Sequence, residues 1–137
     1  MSEFFEQIFC KHCKDYSVII EDDGRVCYAY LYFNSNVIGD VWMYNQSPSP
    51  IKTEWIKDQM PFLNPIEFTK EGITAKPITK TDEFKISCIF YDNTSSLKEI
   101  RLIVRDEHIA TLRPGSKPGW SKYVKKDGPL ALILNKD

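Results

Sequence analysis

Cys10-Lys11-His12-Cys13 is the one stretch of this 137-residue chain with the spacing of a chemical motif. Two thiols three positions apart suit a zinc site or a redox dithiol. A structural zinc needs four ligands, and the remaining soft donors are Cys27, Cys88 and His108, none of which forms a second close pair. A redox dithiol needs its first thiol activated, usually at a helix N-terminus. Here the apolar spacing places the pair at a helix C-terminus, where the dipole disfavours a thiolate. The pair reads as incidental, and neither a metal nor a cofactor is expected.

Cys88, His108 and Asp106 have the composition of a nucleophile, a base and an orienting acid, the parts of a hydrolase. Cys88, however, alternates with Ile86 and Phe90, the pattern of a strand face turned to a core, and free cysteines are among the most buried residues. The chain has just two histidines, so general-base machinery of the usual kind is sparse. Gly115 and Gly119 lack the following helix that a phosphate-cradling loop needs. The chain is therefore read as no enzyme.

The elements that would position a site centre on Arg25–Asn45. Arg25–Phe33 and Val37–Tyr44 are rich in Val, Ile, Tyr, Phe and Trp, with the turn cluster Asn34-Ser35-Asn36 between them. A three-residue loop puts Cys27, Ala29, Leu31 and Phe33 on one apolar face with Val37, Gly39, Val41 and Met43. Tyr28, Tyr30, Tyr32, Asp40, Trp42 and Tyr44 then share the other face. A two-residue loop would instead bury Asp40 beside Leu31 and Phe33. Amphipathic aromatics of this kind are enriched at protein interfaces, so this face, with Trp55, is the expected partner-binding surface.

Before this hairpin, Phe4, Phe5, Ile8 and Phe9 recur at helical spacing and predict a short helix over residues 2–13. Tyr16–Glu21 reads as a strand, with Asp22-Asp23-Gly24 turning into Arg25. Residues 46–65 carry four prolines and predict a long irregular loop, which either covers a sheet edge or presents Trp55. Further strands are expected at 71–75, 83–91, 98–105 and 107–113, an edge strand at 120–124, and a central one at 130–134. The chain is thus a single domain, mainly β or α+β with one N-terminal helix, its antiparallel meander forming a β-sandwich or a barrel-like sheet.

Composition is that of a globular protein, 42% hydrophobic and 27% charged, with a net charge of −1. Residues 1–58 are acidic and 105–137 basic. Arg113, Lys117, Trp120, Lys122, Tyr123, Lys125 and Lys126 interleave cations and aromatics as a single-strand nucleic-acid groove does. A lysine-guarded edge strand explains them more simply, and nucleic acid is not the expected partner. No apolar run is long enough to cross a membrane, and the N-terminus lacks the features of a secretory signal. A cytoplasmic location with four reduced thiols is expected. The sequence specifies no oligomeric state.

The segments GDVWMYNQSPSP (Gly39–Pro50) and EWIKDQMPFLNP (Glu54–Pro65) resemble an uncharacterised bacterial family, and the β-rich, acid-leading chain with surface aromatics resembles bacterial immunity proteins. That resemblance implies a non-enzymatic protein-binding module that occludes a cognate toxin. It transfers no functional residue. A small-ligand-binding β-barrel is the alternative, marked by an enclosed apolar cavity.

Overall fold

A computed structural model of the chain describes residues 4–23, 25–45, 64, 68 and 81–134. The expected strand at 71–75, Trp55 and the 46–65 loop apart from Asn64 lie outside the described residues.

The first sheet is an antiparallel meander of β1 (Phe4–Phe9), β2 (Tyr16–Asp22), β3 (Val26–Phe33) and β4 (Asn36–Asn45), in that order. β1 replaces the expected N-terminal helix. Its phenylalanines fit either period, but a lone helix of about twelve residues is marginal in water, whereas pairing Ile8 with Val18 and Gln7 with Ile19 satisfies the backbone groups on the β2 side of the strand. Asp23 shapes the β2–β3 turn, its Oδ1 accepting from the amides of Arg25 at 2.8 Å and Val26 at 2.9 Å.

The β3–β4 register follows the sequence by a different route. The connection is a two-residue turn, Phe33 opposite Asn36, with Asn34 at φ 55°. A bulge between Leu31 and Tyr32 then shifts the ladder by one residue, so that Leu31 meets Gly39, Tyr30 meets Asp40 and Tyr28 meets Trp42. Asp40 is thereby kept off the core face without the longer loop.

The second sheet follows the order β5 (Phe84–Phe90), β6 (Leu97–Val104), β7 (Glu107–Leu112), β8 (Trp120–Ser121), β9 (Leu132–Ile133). A single 3-10 turn, Thr81–Glu83, leads into it, and Arg105-Asp106, both at positive φ, form the tight β6–β7 turn. The run at 130–134 does not form a central strand. β9 lies at the far end of the sheet, parallel to β8, while the Leu130 carbonyl accepts from the Trp42 amide of the first sheet at 2.9 Å. Its continuous apolar character follows from serving both sheets.

The inner faces meet in one core. Val18, Ile20, Ala29, Leu31 and Val41 come from the first sheet, Ile100, Leu102, Ala110 and Leu112 from the second, all fully buried. On one side the sheets are stitched together by backbone bonds. Gly115 donates to the Ile38 carbonyl at 2.7 Å, Asp40 to Ser116 at 3.0 Å, and Gly119 to Asp40 at 2.7 Å. Gly119 has no substitute here, because a Cβ would lie 2.5 Å from the Thr111 carbonyl oxygen. On the other side β1 and β5 have no strand partner, so among the described residues the sheets form a sandwich and not a closed barrel. A disulfide, Cys10–Cys88, spans that side with 6.0 Å between the Cα atoms.

Candidate functional site

The outer face of the first sheet can be read row by row from its register. One row runs Phe5, Glu21, Tyr28, Trp42; the next Gln7, Ile19, Tyr30, Asp40; the third begins Phe9, Ser17, Tyr32. The expected platform is only partly available. Trp42 is 1% exposed and Tyr28 is buried. The Trp42 indole donates to Asn45 Oδ1 at 2.8 Å, and Asn45 is in turn clasped to the backbone of Asn64, accepting from its N–H and donating to its carbonyl at 2.9 Å each. Asn64 therefore lies against this end of the face.

Tyr44 leaves the face altogether. A second bulge, between Cys27 and Tyr28, sets Tyr44 opposite Cys27 on the core side, where its hydroxyl donates to buried Asp22 Oδ2 at 3.0 Å. Burial first, then the neighbouring Cys27 and Asp22, pushes the Tyr44 hydroxyl well above the usual tyrosine range. Burial and the Asp22 charge likewise raise the Cys27 thiol.

Tyr30, Tyr32 and Asp40 remain half-buried on the outer face, where Tyr28 and Tyr30 stack with ring centroids 6.2 Å apart. Burial, then the charges of Glu21 and Asp40, raises the Tyr30 hydroxyl. Burial also raises the Asp40 carboxyl, opposed by Lys117. Sequence reasoning missed two members of this face. Phe5, 65% exposed, stands on β1 beside Glu21, and Phe9, 50% exposed, beside Ser17. Their signal was present in the recurrence of Phe5, Gln7 and Phe9 at every second position, but the helical period hid it. The three rows carry Glu21 and Asp40 and no lysine or arginine.

The chemical motifs are taken apart by the fold. Cys10 and Cys88 are bonded to each other, which corrects the expectation of four reduced thiols and of an incidental Cys10-Cys13 pair. Cys10 is buried at the β1 edge, within reach of β5, a long-range approach that spacing along the chain does not encode. Cys13 and Cys27 are free. His108 pairs across the ladder with Ile103, on the face of β7 turned away from Cys88, and its Nε2 lies 2.8 Å from Thr111 Oγ1. Asp106 sits in the turn and pairs with Lys85 at 3.8 Å. The proposed nucleophile, base and acid do not converge. Among the described residues no three His, Cys, Asp or Glu side chains are grouped to hold a metal ion.

The basic run is largely occupied within the molecule. The Arg113 guanidinium lies 4.9 Å over Trp120 and donates to Glu99 at 3.2 Å; Lys122 pairs with Glu107, and Lys126 lies 5.3 Å over Phe68. Burial would raise the Glu99 carboxyl, but Arg101 and Arg113 outweigh it and hold the group below the usual carboxylate range. No protein-family model, curated protein or solved structure matches the chain.

Proposed function

We propose that the protein is a non-enzymatic protein-binding module of the immunity type, which occludes the active site of a cognate bacterial toxin. The observation that supports this most is the exposure of Phe5 and Phe9 on the same face as Tyr30 and Tyr32. Apolar anchors of this size left in water on a sheet face are the raw material of an interface hot spot. Asp40 and Glu21 give the face a negative charge with no cation in its rows, which suits a partner whose site is basic, as a site for nucleic acid must be. Relative to the sequence expectation, Trp42 and Tyr44 leave the contact set and Phe5 and Phe9 enter it.

The Cys10–Cys88 bond weighs against a reducing compartment, since such bonds persist mainly where the surroundings oxidise. The test is titration of the purified protein against the toxin-like product encoded beside its gene. Binding that weakens at least ~100-fold in the Phe9→Ala, Tyr30→Ala double variant, and falls with added salt, supports the proposal. No binding to that product, or equal binding by the double variant, removes it.

A further inference from the structure

The side of the sandwich where β1 and β5 are the sheet edges among the described residues holds a cleft of about 620 Å³, and no described residue of the proposed protein-binding function other than Phe9 borders it. Ile8, Phe84, Ile86 and Phe90 supply apolar walls, and the Cys10–Cys88 bond joins the two edges. Both strands approach that bond from their N-terminal ends, so the cleft is pinned at one end. Its β5 wall from Phe84 to the bonded Cys88 is four steps of strand, about 13 Å, and Phe90 lines it beyond the bond. Among the described residues, Lys11 and Lys85 border it and no carboxylate does. Asp106 stands 3.8 Å from Lys85 with both side chains largely in water, a weak competitor. Phe90 is held edge-on by His12 at 4.7 Å, and His12 is itself anchored through Nε2 to the Thr94 carbonyl at 2.9 Å, so this end is preformed.

We propose that this cleft binds a single-chain amphiphile with an anionic head, the chain lying between β1 and β5 and the head meeting Lys11 and Lys85. The volume falls inside the range of small-molecule sites, and apolar walls with a few placed charges are their usual make-up. A groove between two strand edges accepts a flexible chain laid along them. Two ammonium groups at the rim favour an anion. The same chemistry is offered by a free fatty acid and by the acyl chain of an anionic lipid. The site is separable from the proposed protein-binding face through Tyr30→Ala, which touches that face alone, whereas Phe9 borders both.

The full chain is titrated with dansyl-labelled undecanoate, and unlabelled palmitate, hexadecanol, or vesicles of phosphatidylcholine with and without phosphatidylglycerol are added as competitors. Palmitate is expected to displace the probe. Ile86→Trp, which fills the cleft, should weaken palmitate by at least about tenfold, and Lys11→Glu with Lys85→Glu should do the same to palmitate while changing hexadecanol less than about twofold. The rim substitutions keep the test valid if Ile86→Trp does not fold. Displacement by phosphatidylglycerol vesicles and not by palmitate, with the same dependence on the lysines, assigns the chemistry to membrane lipid. Failure of palmitate and vesicles alike to displace the probe overturns the proposal, as does palmitate binding that both sets of variants leave unchanged.

Discussion

The indole N–H of Trp42 donates to Oδ1 of Asn45 at 2.8 Å, and both residues are closed off from water. Asn45 has its amide fully employed, because its Oδ1 also accepts from Asn64 and its Nδ2 donates to the Asn64 carbonyl. One side chain thus joins β4, a buried ring and a remote segment of the chain. Such a fully satisfied polar group fixes a unique packing, and it is costly to disturb.

Trp42→Ala is expected to destabilise the fold by ~3–5 kcal/mol, the range for removing a buried aromatic side chain. Asn45→Leu should cost ~1–3 kcal/mol by stranding the indole N–H and the Asn64 backbone. Chemical denaturation of both variants checks this. A loss below about 0.5 kcal/mol for Trp42→Ala would mean that the indole is not packed in solution.

The Asp22–Tyr44–Cys27 cluster predicts a particular alkaline response. Tyr44 and Cys27 are both held protonated by burial, so their folded pKa values lie above the unfolded ones. The folded state then holds protons that the unfolded chain releases, and stability is full below the unfolded pKa and declines as pH rises past it. The decline should begin near pH ~8.5, where an unfolded cysteine ionises, and steepen near pH ~10 with tyrosine. Cys27→Ala should remove the first part. Tyr44→Phe should flatten the second while lowering stability at pH 7 by ~1.5–3 kcal/mol through its lost bond to Asp22. Denaturation midpoints measured across this range test both assignments.

Much of the sheet architecture was legible because period-two alternation and turn chemistry are local. The β2–β3 turn at Asp23 and the pairing of Leu31 with Gly39 follow from such patterns. What sequence could not supply were departures of a single residue. The bulge beside Tyr28 turns Tyr44 from the outer face to the core, and nothing in the string VWMYN marks it. β1 failed for another reason: Phe4, Phe5, Ile8 and Phe9 satisfy the helical period, and only the availability of β2 as a partner decides against it. The disulfide depends on the same misreading, since a helix would have carried Cys10 away from β5.

Thiol chemistry separates the sulfur atoms. The native protein is expected to label rapidly at Cys13, at Cys27 only after unfolding, and at Cys10 and Cys88 only after reduction. Because the bond closes a loop of 78 residues, reduction or Cys88→Ser should lower stability by ~2–4 kcal/mol. Mass spectrometry after alkylation during lysis reads the state in the cell. Four labelled thiols would show that the bond does not form there.

Asp40 offers the sharpest test of the protein-binding face, because stability and binding should move in opposite directions. Burial raises its carboxyl pKa, and Lys117 only partly offsets this. A carboxyl whose folded pKa lies above its unfolded one favours the fold while protonated, and this contribution is lost as pH rises through the carboxylate range. Asp40→Asn should therefore raise the denaturation midpoint at pH 7 and have little effect at pH 3. The same substitution removes one of the two carboxylates in the three rows, so association with a basic partner should slow and become less sensitive to salt. A variant that is more stable and binds more slowly is the outcome expected of a charge retained for recognition. A variant that loses stability at pH 7 would show that Asp40 is a structural acid with a necessary partner, and would take the face's negative pole out of the proposed interface.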